Sequence, residues 1–444
     1  MKTSIRAVNG FRVWDSRGRP TVEVELVLES GITGRGIAPS GASCGSNEAV
    51  DLRDGGASYG GYGVARALEN VAHLISPALV GLDAMCQASV DARLIELDAS
   101  STRDKVGGNA LIATSMAVLH AAAETTGKPL WSHLAEGRAI SMPLPEVQIF
   151  GGGAHAGRRV DVQDFLVMPV GASTFDEALC ICADIYRIAG ECMEARGGRM
   201  GVADEGGWWP NFSSNEEALQ VLTGAIERAG YGNGEAMISL DIAASGLYKD
   251  GYYRLAMEDR QFDSDAWLDL VCSWVAKYPI LSIEDPVAED DVLGMRKFTD
   301  VLGDKIQIIG DDYLVTNVDR VSQAITDGCC NAVLIKPNQV GTITEAKATL
   351  DRARDAGWGT VISARSGESE DVTITHLAIG WNAGQLKVGS FSRSERMAKW
   401  NEALRIERGG AATKAFSGLG ALPIKVRAGQ EDAQASGRRS RVAR

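Results

Sequence analysis

The chain has 444 residues, 45% of them hydrophobic, and a formal net charge of −13. This length predicts two domains, and the acidic balance argues against nucleic acid or an anionic membrane as a partner. Its 8 cysteines make no disulfide framework over such a length. Cys180/Cys182 and Cys329/Cys330 lack zinc or redox spacing, so reduced, mostly buried thiols are expected.

The first residues, MKTSIRAVNGF, hold no apolar signal core, and a cytoplasmic location is expected. Residues 21–29, TVEVELVLE, alternate apolar and acidic side chains, as a strand with one buried face does. Ser30-Gly31 offers a turn and ITGRGIAP returns, predicting an antiparallel hairpin. SGASCGS (40–46) is built of small residues and reads either as a solvated linker or as a mobile lid over an active site. Val64, Leu68, Val71 and Ile75 recur at helical spacing, and an Ala-rich helix follows to about Thr126. The apolar stretch Asn109 to Ala123 is too short to span a bilayer, so a buried helix is expected and a membrane partner is not. Residues 1–135 are thus read as a small α+β domain.

Pro143 and Pro145 mark a connection. Thr174 with Glu177, and Ser214 with Glu217, have capping-box spacing ahead of helical stretches. Strand-like runs then end in reactive side chains: MISLD at Asp241, ILSIED at Glu284, IQIIGDD at Asp311, NAVLIK at Lys336, TVISARS at Arg365 and Ser366, and GQLKVGS at Lys387. From Glu284 onward these recur roughly every 22–29 positions, the length of a strand, a helix and two loops. Such alternation implies parallel strands with helices outside, whose ends converge on one face, the active face of a barrel. A helix over 392–408 with Met397, Trp400 and Leu404 closes this domain, taken as 136–426. Residues 427–444, polar and rich in Gly, Ser and Arg, are expected to be disordered.

Three converging carboxylates, Asp241, Glu284 and Asp311, repel one another unless a cation lies between them, although any one alone could cap the next helix. Oxygen ligands select a hard ion, Mg²⁺ rather than zinc. Lys336 and Lys387 lie at neighbouring strand ends, where a cation and a second ammonium favour the neutral amine of a general base. A base beside a divalent ion suits removal of a proton α to a carboxylate, with the ion stabilising the enediolate. Arg365 and Ser366 suit phosphate. Glu205 lies in the Gly-rich GVADEGGWWPN, and His155, Gln163 and Asp164 in FGGGAHAGRRVDVQDF. Neither matches a nucleotide fingerprint, and His155 alone reads as structural more readily than as catalytic, its place beside a glycine cluster only modestly favouring the latter.

With these residues assembled, the chain resembles the enolase family, whose superfamily sites are a known case of a lysine or histidine base with Mg²⁺. The resemblance runs from about residue 5 to 410 through DSRGRPTVEVEL (15–26), APSGAS (38–43), DEGG (204–207), SIEDP (282–286), GDDYLVTN (310–317), LIKPNQVGT (334–342), RSGESED (365–371) and GSFSRSERMAKWNEALRIE (389–407). It implies an α/β fold, a modified (β/α)8 TIM barrel with a smaller antiparallel-sheet α+β domain before it, and a homodimer or higher oligomer. It also implies two Mg²⁺, the first on Asp241, Glu284 and Asp311 and the second, arriving with substrate, helped by Ser43. Lys336 matches the base for the C2 proton and Lys387 its partner at the substrate carboxylate. Arg365 and Ser366 match phosphate contacts, Glu205 the acid for the leaving hydroxyl, and His155 and Gln163 pocket residues. The implied reaction interconverts 2-phosphoglycerate with phosphoenolpyruvate and water.

Four motifs depart from the family pattern. The histidine of S-H-R-S-G-E is Ala364, and the glutamate of Q-E-F is Asp164, a catalytic candidate one methylene shorter. The asparagine of N-G-G-x-H is Gly151, and S-E-F is Ser245-Gly246-Leu247. Ala364 and Asp164 fall where the family handles the leaving hydroxyl, so a divergent paralogue is expected. The alternatives are an enzyme like carboxyphosphonoenolpyruvate synthase of phosphonate natural-product pathways, using the same enolate with a second substrate, and a non-catalytic protein binding a phosphorylated acid.

Overall fold

The computed structural model describes residues 2–232, 234–410, 415–423 and 426. Strands β1 (Ile5–Trp14), β2 (Pro20–Leu28) and β3 (Thr33–Ile37) form an antiparallel meander. Val22, Val24, Leu26 and Leu28 are buried, as their alternation with glutamates requires. They face the helix Gly108–Thr125, nearly all of whose side chains are buried. Close approach depends on Gly34, where a Cβ would lie 2.1 Å from the Ala117 carbonyl oxygen. The Val64–Ile75 stripe forms the helix Ala65–Asn70, then a π-helical turn over Val71–Ile75.

The larger unit opens with β4 (Leu144–Gly151), β5 (Asp164–Met168) and β6 (Met237–Asp241). A small outlying meander follows, β7 (Tyr248–Lys249), β8 (Tyr252–Leu255) and β9 (Arg260–Phe262). Then come β10 (Ile280–Glu284), β11 (Gln307–Gly310), β12 (Ala332–Ile335), β13 (Gly359–Ser363) and β14 (Gly384–Gly389). Eight of these strands close into a barrel in the order β10-β11-β12-β13-β14-β4-β5-β6. The alternation pattern implied strands all pointing one way, and β5 corrects it by running antiparallel to both β4 and β6. A reversed strand presents its N-terminal end to the mouth, so Gln163 and Asp164 reach the same face as the C-terminal ends of the others.

Thr174 and Ser214 cap their helices by accepting from the Glu177 and Glu217 N–H, each at 3.0 Å. The closing helix is Ser394–Arg408, with Trp400 fully buried. Thiol burial is less than expected: Cys182, Cys329 and Cys330 are buried, Cys44, Cys86 and Cys180 are exposed, and all are free. Among the described residues no helix is long and apolar enough to cross a membrane. The segment 427–444, expected to be disordered, lies outside the described residues.

Candidate active site

The barrel mouth brings all the predicted site residues together. One cavity is lined by every one of them except Glu284 and Asp311, and Ala364 lines it too. Those two carboxylates stand behind the lysines. Lys387 Nζ is 2.7 Å from Glu284 Oε2, 3.2 Å from Asp241 Oδ2 and 3.7 Å from Asp164 Oδ2. Lys336 Nζ donates to Asp311 Oδ2, and Gln163 Nε2 to Asp241 Oδ2 at 3.0 Å. The free space among these groups is only about 10 Å³, so substrate entry requires them to separate.

Residues 40–46 lie over this mouth, which rules out a solvated linker. Ser40 and Gly367 exchange backbone hydrogen bonds of 2.9 and 2.8 Å. The Ala42 N–H donates to Ser366 Oγ at 3.1 Å. Arg365 donates to the Ser43 carbonyl at 3.0 Å and to Glu48 at 2.8 Å. Arg365 and Ser366, expected to hold phosphate, thus hold the loop here, and an incoming phosphate would compete with Glu48 and the Ser43 carbonyl for these donors.

Charge at the site is set by burial and close pairing. Burial alone would depress the Lys336 ammonium, but Asp311, and more weakly Glu284, hold it above its ordinary value. Lys387 likewise stands well above its ordinary value: burial opposes the charge, and Asp241 and Glu284 overcome it. Burial, then Asp241, raises the Glu284 carboxyl well above the carboxylate range. Burial pushes Asp164 up to about 6 against the pull of His155. Burial also opposes charge on Glu205, yet His155, Arg396, Lys387 and Lys336 carry it below its ordinary value. Of the two carboxylates facing the leaving-group side, Asp164 therefore holds a proton more readily than Glu205.

The carboxylates of Asp241, Glu284 and Asp311 fit a hard divalent cation. Glu284 Oε1 is buried and has no hydrogen-bond partner among the described residues, the state of a carboxylate oxygen facing a cation site. Asp285, Asp311 and Asp312 form a tighter cluster, with ligand atoms within 4.8 Å of one another. Both oxygens of Asp285 are already taken by the N–H groups of Asp311 at 2.9 Å and Asp312 at 2.7 Å. Asp285 thus shapes the exit of β11 through both of its oxygens.

Four supporting residues escaped the sequence reading. Glu48 pairs with Arg365 across the domain boundary. Gln339 Nε2 donates to Asp311 Oδ1 at 2.9 Å. Gln148 donates to Asp164 Oδ1 and accepts from the Gly207 N–H at 2.8 Å, tying β5 to the loop of Glu205. Arg396, fully buried, donates to the backbone carbonyls of Arg365, Ser366 and Val388 and props the end of β13. Glu48 lies beside the SGAS loop, Gln339 inside LIKPNQVGT and Arg396 inside the 389–407 motif, whereas Gln148 had no such local signal.

A barrel closed around carboxylates and lysines at its strand ends, covered by a small antiparallel-sheet domain, defines a lyase of the enolase superfamily. Residues 139–443 match the family model for the enolase C-terminal TIM barrel domain and residues 5–134 that for the enolase N-terminal domain, and the chain belongs to the enolase family. That family is generally Mg²⁺-dependent and binds small phosphorylated acids.

Proposed function

We propose that this chain removes the C2 proton of 2-phosphoglycerate and carries the resulting enolate toward phosphoenolpyruvate, with an altered leaving-group half. The observation that carries the reading is the pair of buried lysines, Lys336 and Lys387, each against a carboxylate of one trio at a barrel mouth that also presents Arg365 and Ser366. Asp241, Glu284 and Asp311 would hold the first Mg²⁺, and Ser43 would help a second that comes with substrate. When bound, these ions supply positive charge to the substrate carboxylate and to the enediolate.

The protein's own groups do the rest. Arg365 and Ser366 orient the phosphate by exchanging their loop contacts for it. Lys387 faces the substrate carboxylate. Asp311 holds Lys336 as an ammonium. Once Lys336 is released from that pairing, burial, Arg365 and Lys387 favour loss of its proton to solvent, and the neutral amine then accepts the C2 proton. The C–H electron pair moves into the enolate. Breaking the C3–O bond expels hydroxide, which takes a proton from the Asp164/Glu205 pair and departs as water. Asp164, which titrates near 6, is the better resting place for that proton. His155 and Gln163 line the pocket beside them.

A second reading keeps the enolate and changes its fate. A cavity of about 320 Å³ adjoins the site, sharing Ser43 and Gln163 and bordered by Gly153, Ala154 and Gly246. It has room for the second substrate of a carboxyphosphonoenolpyruvate synthase-like reaction. Purified protein with 2-phosphoglycerate and Mg²⁺ in heavy water separates the cases. Exchange at C2 with dehydration supports the first reading, and exchange without dehydration supports the second. Binding with neither reaction indicates a non-catalytic phospho-acid binder. Homo-oligomerisation and a cytoplasmic location belong to the same proposal.

A further inference from the structure

Proton removal requires Lys336 to let go of Asp311, and a buried hydrogen-bond path joins that contact to the phosphate end of the mouth. Arg365 donates to Glu48 Oε2 at 2.8 Å and to Glu48 Oε1 at 3.3 Å. Glu48 Oε1 also accepts from the Gly45 N–H of the loop over the mouth at 3.0 Å. The Gln339 amide lies between two carboxylates. Its Nε2 donates to Glu48 Oε1 at 3.2 Å and to Asp311 Oδ1 at 2.9 Å. Asp311 accepts from Lys336 Nζ through its other oxygen. Thr316 fixes the amide, donating its hydroxyl to Gln339 Oε1 at 2.5 Å and accepting from the Lys336 N–H at 2.9 Å. The Gln339 carbonyl accepts from the Ala49 N–H at 2.7 Å, tying the same residue to the loop by its main chain. Gln339 is 2% exposed, and Arg365, Glu48, Asp311 and Lys336 are all buried, so each link is costly to leave unmade.

We propose that Gln339 is a positioning residue that makes the release of Asp311, and so proton removal at Lys336, conditional on phosphate at Arg365. The effect on exchange rests on the proposed function, whereas the coupling between the two sites does not. A phosphate that takes the Arg365 guanidinium strips Glu48 of its charged donor. Glu48 then has the Gly45 N–H and the Gln339 amide as its donors. A buried carboxylate without its partner draws on whatever donor remains. The 3.2 Å contact of the amide with Glu48 therefore shortens at the expense of its contact with Asp311. Asp311 Oδ1 comes free, and its carboxylate can turn from Lys336 toward the cation site it shares with Asp241 and Glu284. An acid without phosphate leaves Glu48 on Arg365 and Asp311 on Lys336. The phosphate, remote from C2, thus contributes to the rate as well as to affinity.

The test uses the full-length protein, with inorganic phosphate as the probe and Mg²⁺ affinity read by calorimetric titration. In the wild type, phosphate should tighten Mg²⁺ binding by at least about fivefold, the lower range of coupling between two sites. Gln339→Met fills the space without the amide. Without phosphate it should bind Mg²⁺ at least as tightly as the wild type, and the gain from phosphate should fall to about twofold or less. Glu48→Gln interrupts the same path at its other end and should lose the gain too, and the double variant should lose no more than either alone. No gain in the wild type, an unchanged gain in Gln339→Met, weaker Mg²⁺ binding by that variant without phosphate, or additive losses would each overturn the proposal. The Glu48→Gln titration stands even if Gln339→Met does not fold. With glycerate in heavy water, inorganic phosphate should speed C2 exchange in the wild type and leave Gln339→Met little changed; an equal response in both would also overturn it. Coupling without exchange of 2-phosphoglycerate would sink the proposed function and leave the path standing.

Discussion

Lys387→Met removes the ammonium that holds Glu284 at 2.7 Å and Asp241 at 3.2 Å while keeping most of the apolar stem. All three groups are buried, and breaking such a cluster by deleting one partner costs about 3–5 kcal/mol. Glu284, already raised by burial and by Asp241, can take up a proton instead of staying charged. The loss is therefore expected at the lower end, about 3 kcal/mol. Urea unfolding in chelator should show that drop. Adding Mg²⁺ should then stabilise the variant more than the wild type, because the abandoned carboxylates have no other cation. A tenfold gain in apparent affinity adds about 1.4 kcal/mol at saturating metal. Equal stability in chelator, or equal magnesium increments, would refute the placement of a cation site on Asp241, Glu284 and Asp311.

Other consequences can be checked separately. Combining Ala364→His with Asp164→Glu should raise dehydration by on the order of ten- to a hundredfold, since an acid misplaced by about 1 Å can cost that much. A rate that does not rise would show that these positions do not limit it. Glu48→Gln should expose residues 40–50 to protease, and an added phosphorylated acid should restore protection through Arg365; protection unchanged by the substitution would contradict the Glu48 latch. Burial holds His376 down at about 4 against an ordinary 6.5. The unfolded chain therefore binds the proton first as pH falls, and stability should drop by roughly 3 kcal/mol between pH 6.5 and 4. His376→Phe should flatten that slope, and an unaltered slope would remove His376 as its cause. Gly34→Val should unseat β3 from the helix Gly108–Thr125, since even a Cβ there lies 2.1 Å from the Ala117 oxygen; native-like urea stability would contradict that packing.

Much of this architecture was legible because period and spacing encode it. Apolar alternation marked β2, the βα repeat marked the barrel, and reactive strand ends marked the face where Asp241, Glu284, Lys336 and Lys387 meet. Strand direction is not written in periodicity. The reversal of β5 was invisible, although it is what delivers Asp164 to the mouth. The β7–β9 meander also went unread, despite Asp250-Gly251, both with positive φ, between short runs, as a tight hairpin turn requires. Glu48, Gln148, Gln339 and Arg396 were missed for another reason: each acts on a partner supplied by another element, and Glu48 meets Arg365 across 317 positions of sequence. Glutamine and arginine carry no local mark of burial. The contact of Lys336 with Asp311 is one that spacing places nearby but cannot measure.

The central claim, that the mouth makes an enolate by taking the C2 proton onto Lys336, is tested most directly by hydrogen exchange. Purified protein, Mg²⁺ and 2-phosphoglycerate in heavy water should incorporate deuterium at C2, and Lys336→Ala, with the same fold and with substrate still bound, should abolish incorporation. Exchange that persists without Lys336, or no exchange in the wild type under conditions where substrate binds, would contradict the account.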